Sequence, residues 1–447
     1  MSAAPAAGPA VPTAAANVSA TDLAALAAAV RAAQRRYGAA AGETRSAVLR
    51  RLAALLAGRE AAILAANGRD LEAACAAGLA APLLDRLALT AGKLATLRDG
   101  VEQLAAGGDP VGAVRRRTLL DDGLELTRVA APLGVLLVIF ESRPDAVVQI
   151  GALALRTGNA LLLKGGSEAT ESNRALAACL RDALAEEGQP ADAVALVEGR
   201  RAVAALLALD EEIDVVIPRG SGELVRSIQA STRIPVLGHA DGVCHLYLDA
   251  AADPAMAAKL AVDGKCDYPA ACNATETLLV HRAFLPHLPA VGRALVEAGV
   301  RLLADGEARP FLPAAEPASP DDYGREWGEL TLSVATVGSL EDAVAHLHRH
   351  GSGHTEAIVT DDAAAAERFL ALVDAASVFV NASTRFADGY RYGLGAEVGI
   401  ATGRLHARGP VGAEGLLTTR WLLRGEGQAV AEYGAGGRRF LHRDLEP

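Results

Sequence analysis

From about Asp22 to Ala105 the apolar positions recur at three- and four-residue steps, as in Leu23, Leu26 and Val30 and again in Val48, Leu49, Leu52, Leu55 and Leu56. That spacing lines one face of a helix, so the segment predicts a run of helices. Over 115–128 the pattern shortens to two brief runs around Asp121-Asp122-Gly123, which predicts a β-hairpin. Arms of this kind often pair with a neighbouring subunit. From Ala131 onward unbroken apolar runs alternate with helical periodicity. Strands are expected at 135–140, 160–163, 193–197 and 215–217, with helices over 146–155, 169–187 and near 203–209. Apolar strands joined by crossover helices indicate a parallel sheet covered on both faces. A second α/β set starts near Asp253, with strands at 277–281, 332–337, 357–360 and 377–380 and helices over 286–298 and 340–350. The Pro-, Ala- and Asp-rich stretch 308–323 predicts a long surface loop.

A chain of 447 residues exceeds one compact core and implies two or three packed units. The net charge of −11, with no block of Lys and Arg, argues against nucleic acid or an anionic membrane as the main partner. The apolar stretch 129–140 contains Pro132 and Gly134 and is far shorter than the ~20 residues of a bilayer span, so no membrane segment is expected. The Ala/Pro-rich first 20 residues carry no basic residue and read as a frayed tail, not as a secretory signal. Five cysteines without a CxxC pair are too sparse for a disulfide framework and point to a reducing cytoplasm.

The composition sharpens the search for chemistry. Only four of the 43 basic residues are lysines, so each lysine carries more information than usual. No GxGxxG opens a helix after a strand, and another phosphate-holding device must be sought. The segment Val215-Val216-Ile217-Pro218-Arg219-Gly220-Ser221-Gly222 combines a strand, a Gly/Ser turn and a helix start. Its free N–H groups suit a pyrophosphate, although an ordinary βα turn has the same appearance. Lys164 ends a buried strand before Gly165-Gly166, where open sheets bind ligands. It suits ribose or phosphate, or else snorkels to water.

Cys272 lies in a turn just before a strand, where a thiolate could act as a nucleophile and turn amides could lower its pKa. Cys266 is the rival, while Cys75, Cys179 and Cys244 read as small buried hydrophobes. The run Asn381-Ala382-Ser383-Thr384-Arg385 offers amide, hydroxyl and guanidinium groups suited to a carboxylate or small zwitterion, with Arg385 as anchor. His346, His348, His350 and His354 have helical spacing but no nearby acidic or thiol ligand, so no metal is expected and a solvated helix end is the simpler reading.

Several of these segments share one wording: LDRLALT at 84–90, FESRPD at 140–145, TGNALLLKGG, IPRGS, IPVLGHADGVCH at 234–245, DYPAACNATETLLVH, VNASTRF and GLGAEVGIATGRLHARGPVG at 393–412. Together they resemble the aldehyde dehydrogenase superfamily and, within it, the gamma-glutamyl phosphate reductase family, including the reductase half of pyrroline-5-carboxylate synthases. The resemblance implies an α/β fold of two parallel-sheet domains plus a β-hairpin oligomerisation arm. It divides the chain into a disordered tail (1–20), a dinucleotide-binding domain (21–114 and 130–253), a catalytic domain (254–415) and the arm (115–129 and 416–447).

The same resemblance implies an enzyme that reduces L-glutamate 5-phosphate to the 5-semialdehyde with NADPH, through a cysteine thioester, in proline biosynthesis. It assigns Cys272 as nucleophile, Lys164, Gly220, Ser221 and Glu326 to the cofactor, and Arg143 to the acyl phosphate, with Asn381, Ser383, Thr384 and Arg385 at the substrate. Ser167 stands where many NAD-preferring relatives carry a glutamate that would repel a 2′-phosphate. The general-base glutamate of hydrolytic relatives is replaced by Gly238, which suits release to phosphate instead of water. A homo-oligomer and an association with glutamate 5-kinase are the partners implied. Another phosphate-using semialdehyde dehydrogenase, or a scaffold that kept the fold, are the alternatives.

Overall fold

The computed structural model describes Thr13–Ala14 and residues 19–199, 201–434 and 436–446; most of the tail expected over 1–20 lies outside the described residues. Two parallel sheets organise the chain. The first has five strands, in the order Thr13–Ala14, Val194–Val197, Ala160–Gly165, Val135–Phe140, Val215–Arg219. Every residue of its two central strands is buried, which is why they read as unbroken apolar runs. The amino-terminal helices, among them Ala20–Tyr37 and Gly42–Gly58, pack on this sheet with Asp145–Arg156 and Thr170–Glu186.

The second sheet has seven strands and carries apolar clusters on both faces. Its central order is Thr331–Val337, Thr275–His281, Cys244–Leu248, Thr355–Val359, Ser377–Val380. The strand Cys244–Leu248 falls before the expected 253/254 division, yet it pairs within this second sheet. Conversely, Val398, Ala401 and Val411 lie within the expected catalytic segment and pack into the core of the first sheet. The connection between domains is therefore a shared seam and not a single boundary.

The expected hairpin is present as Val114–Asp121 and Leu124–Pro132, joined at Gly123 with a φ of 71°. Leu417–Arg424 and Arg443–Leu445 flank it to complete a four-stranded antiparallel sheet. The stretch 308–323 is more ordered than a plain loop: Ala308 and Leu312 are buried and Glu316–Pro317 adds an edge strand to the second sheet. Among the described residues no helix is long and apolar enough to cross a membrane.

Asn159 explains how three remote segments meet. Its carbonyl accepts from the Gly134 N–H at 2.7 Å, and its amide donates to Thr157 Oγ1 at 2.8 Å and to the Leu416 carbonyl at 2.9 Å. Gly134 is required there, because its φ is 133° and a Cβ would lie 2.0 Å from Asp214 Oδ2. Asn159→Ala leaves the buried Gly134 N–H unpaired, while the Leu416 carbonyl keeps the Leu133 N–H at 3.4 Å, and should cost about 1–3 kcal/mol. Urea unfolding followed by circular dichroism checks this, and an unchanged midpoint would contradict the role assigned to the amide.

Candidate active site

Cys272 lies in the turn between the helix Pro254–Cys266 and the strand Thr275–His281. The turn is clamped at both ends. Before it, Lys265 and Glu276 form a fully buried pair at 2.6 Å that ties the helix to the strand. Asp267 accepts from Arg385 Nε at 3.0 Å, and Asn273 Nδ2 donates to the Ala387 carbonyl at 2.9 Å. Thr275 and Thr384 join their hydroxyls at 3.1 Å. The polar run after the strand Ser377–Val380 thus holds the cysteine turn in place.

The incoming segment 239–243 lies against the turn more closely than any side chain would permit. A Cβ on Gly242 would stand 2.1 Å from the Cys272 carbonyl oxygen. Cys244 opens the next strand, and its thiol donates to the same carbonyl at 3.3 Å. The neighbouring strand Thr355–Val359 follows His354 directly. The amino ends of three adjacent strands therefore present Cys272, Cys244 and His354 together.

Facing them is the end of the first sheet. A cavity of about 380 Å³ is lined by Cys272, Arg143, Arg219, His239, Glu326 and Glu397, among others. Burial pushes the Cys272 thiol up to about 11, against the pull of the Arg219 guanidinium; Glu326 and Glu397 add to the rise. The lowered pKa expected from turn amides is not what this pocket produces, because desolvation of the thiolate outweighs the favourable charge. Burial and then Arg143 lower Arg219 itself. His239 is also lowered by burial, and His354 falls to about 3 from burial and the nearby His239.

The expected site residues divide into two sets. Arg143, Gly220, Glu326 and Arg385 line the cavity with Cys272, and Glu326 Oε2 accepts from the Gly242 N–H at 3.0 Å. Asn381, Ser383 and Thr384 do not line it. Asn381 has its amide engaged with the backbone of Thr360, Ser383 caps Arg385, and Thr384 pairs with Thr275, so all three shape the loop. Arg385 is partly committed to Asp267, which leaves it less free as a carboxylate anchor than its sequence suggests. Cys266 ends its helix and does not line the cavity.

The remaining candidates sit along the carboxyl edge of the first sheet. Ser221 caps the ten-residue helix Gly222–Ser231, accepting from Leu224 N–H at 3.3 Å. Lys164 is buried at the end of its strand, with Nζ 2.6 Å from the Gly165 carbonyl. Ser167 is exposed beyond it, and the adjacent Glu168 carboxylate turns inward to the Ser142 N–H and hydroxyl.

Sequence reasoning missed Arg219, His239, His354 and Glu397. Arg219 sat inside the IPRGS motif, but one arginine among so many carries no signal by itself. The histidine cluster also differs from expectation. His346 contacts Tyr323 and His245 with its ring and is lowered to about 3 by burial, so it cannot serve as a charged helix end.

The balance at Cys272 is testable. Arg219→Gln removes the charge that favours the thiolate, so the thiol pKa should rise further and iodoacetamide should react more slowly at any given pH below about 11. Alkylation rates against pH in metal-free buffer measure this, and an equal or faster rate in the variant would contradict the assignment.

Residues 2–297 match the aldehyde dehydrogenase family. A gamma-glutamyl phosphate reductase from Synechococcus sp. (strain JA-2-3B'a(2-13)) is 55% identical over 407 residues, covering 90% of both chains. One from Prochlorococcus marinus (strain MIT 9303) is 53% identical over 404 residues, covering 90% of this chain and 92% of that one. The crystal structure of a gamma-glutamyl phosphate reductase from Thermotoga maritima superposes with a TM-score of 0.89 at 36% identity, covering 91% of this chain and 99% of that chain.

Proposed function

The chain belongs to the aldehyde dehydrogenase family and, within it, to the gamma-glutamyl phosphate reductases, and from that membership we propose that it reduces L-glutamate 5-phosphate to L-glutamate 5-semialdehyde with NADPH. The observation that carries this reading is a half-buried cysteine that shares one cavity with Arg86, Arg143, Arg219 and Arg385. A nucleophilic thiol and a concentration of positive charge are what an acyl phosphate needs.

Cys272 attacks the γ-acyl carbon as thiolate, forming the C–S bond while the C–O bond to phosphate breaks. Arg219 favours the thiolate, and Arg143 and Arg219 offset the charge of the departing phosphate. NADPH, when bound, supplies the hydride that reduces the resulting thioester. Collapse of the thiohemiacetal then returns the sulfur to Cys272 and releases the semialdehyde, which closes to pyrroline-5-carboxylate on the way to proline.

The residues present fit such a cofactor. The amino terminus of Gly222–Ser231 with the Gly220-Ser221 turn would hold the pyrophosphate, and Lys164 and Glu326 the ribose hydroxyls. An exposed serine at 167, with Glu168 turned inward, leaves the position facing a 2′-phosphate free of a repelling carboxylate. Gly238, which has no side chain to act as a base, stands where hydrolytic relatives carry the glutamate that activates water against a thioester. The arm, with Trp421 and Leu423 exposed on its outer strand, would join subunits into a homo-oligomer. A cytoplasmic setting suits five free cysteines, and handover from glutamate 5-kinase would shield a labile substrate.

The reverse reaction tests this. Purified protein given pyrroline-5-carboxylate and NADP should reduce the nicotinamide only when inorganic phosphate is added, faster than with NAD, and not at all as Cys272→Ala. Reduction without phosphate would overturn the acyl-phosphate reading, and full activity in the variant would remove Cys272 from its role.

A further inference from the structure

At the wall of the cavity lies a donor set of which the reductase chemistry above uses only Cys272. A ring nitrogen of His239, the thiol of Cys272 and a ring nitrogen of His354 all lie within 4.8 Å of one another. Both imidazoles are already oriented from behind. His239 Nδ1 is 2.7 Å from the Ile400 carbonyl, which can only accept, so that nitrogen carries the proton and Nε2 keeps its lone pair. His354 Nδ1 is 2.8 Å from Thr355 Oγ1, and its Nε2 is buried without a hydrogen-bond partner. A buried polar atom left unpaired is costly, and an orphan Nε2 on a fully buried ring calls for a ligand.

We propose that His239, Cys272 and His354 form a binding site for a divalent cation of the zinc class, and that loading it silences the enzyme by capping the Cys272 sulfur. One thiolate and two neutral imidazoles are a zinc-type donor set, and an oxygen ligand bound to each histidine's other nitrogen is the usual support for metal-ligating imidazoles. Tetrahedral donors on bonds of roughly 2.0–2.3 Å stand about 3.5 Å apart, so side-chain adjustment of about 1 Å closes the site. Glu326 and Glu397 face the same thiol and offset the charge of Arg219. The open side of the cavity leaves a fourth position for water or a phosphate oxygen. Binding exchanges the thiol proton for the cation, releases that proton to solvent, and involves no change of oxidation state. The binding stands on this geometry alone; the silencing rests on Cys272 being the nucleophile.

The test is an anaerobic titration of the full chain with Co²⁺ followed by absorption spectroscopy, with Zn²⁺ as competitor. The expected result is one Co²⁺ per subunit with tetrahedral d–d bands and a thiolate charge-transfer band, displaced by Zn²⁺. Cys272→Ser should abolish the charge-transfer band, and His239→Ala or His354→Ala should weaken binding by at least about 10-fold. An octahedral spectrum without the thiolate band, or full affinity in both histidine variants, would overturn the proposal. Because truncating the buried His354 can unfold the protein, the unaltered chain gives a second reading. One equivalent of Zn²⁺ should slow iodoacetamide alkylation of Cys272 at least about 10-fold, with EDTA restoring the rate; an unchanged rate would contradict the site. These readouts are independent of turnover, so failure of the metal site and failure of the reductase reading are separable.

Discussion

Burial of the Cys272 sulfur opposite the Arg219 guanidinium is the constraint around which this molecule is arranged. Desolvation makes a thiolate unfavourable here, and a guanidinium in the same pocket is unfavourable as well, yet each lessens the penalty on the other. Desolvation favours the thiol, with Glu326 and Glu397 adding to that preference. The charge of the incoming substrate and its departing phosphate therefore enters a site lined by four arginines, Arg86, Arg143, Arg219 and Arg385, against the three carboxylates Glu326, Asp388 and Glu397.

Holding that opposition in register requires both sheets. Arg219 ends the edge strand Val215–Arg219 of the first sheet, while Cys272 precedes a central strand of the second. The link between them runs through 239–243, pressed on the cysteine turn at Gly242, where a methyl group would collide with the Cys272 carbonyl. The buried Lys265–Glu276 pair fixes the other side. Burial raises Glu276 to about 7 even against the lysine, so the pair serves geometry more than stability. Loop residues that looked like ligands in the sequence, Asn381, Ser383 and Thr384, belong to this supporting frame.

The legible part of the sequence was what local periodicity and turn chemistry encode. Unbroken apolar strands, crossover helices and the Asp-Gly hairpin were readable because each is decided within a dozen or so residues. The place of Cys272 in a turn before a strand was legible, and so was that of Ser221 between a strand and a helix. The partners of Cys272 were not. Cys244 and His354 reach it because their strands are adjacent in the sheet, and strand order is a long-range property that no local pattern records. Arg385 illustrates the converse: its motif marked it as an anchor, but Asp267, remote in sequence, engages its guanidinium. The domain division was blurred for the same reason, since Cys244–Leu248 joins the second sheet while Val398 and Val411 pack into the first core.

The proposed reduction requires a covalent bond between Cys272 and the glutamyl group. Intact-protein mass spectrometry of the chain mixed with freshly generated L-glutamate 5-phosphate, without any nicotinamide cofactor, tests that bond directly. The prediction is a single adduct of one glutamyl group, mapped to the peptide carrying Cys272, cleaved by hydroxylamine and absent from Cys272→Ala. An adduct on another residue, or turnover on adding NADPH with no acyl-enzyme trapped beforehand, would contradict it.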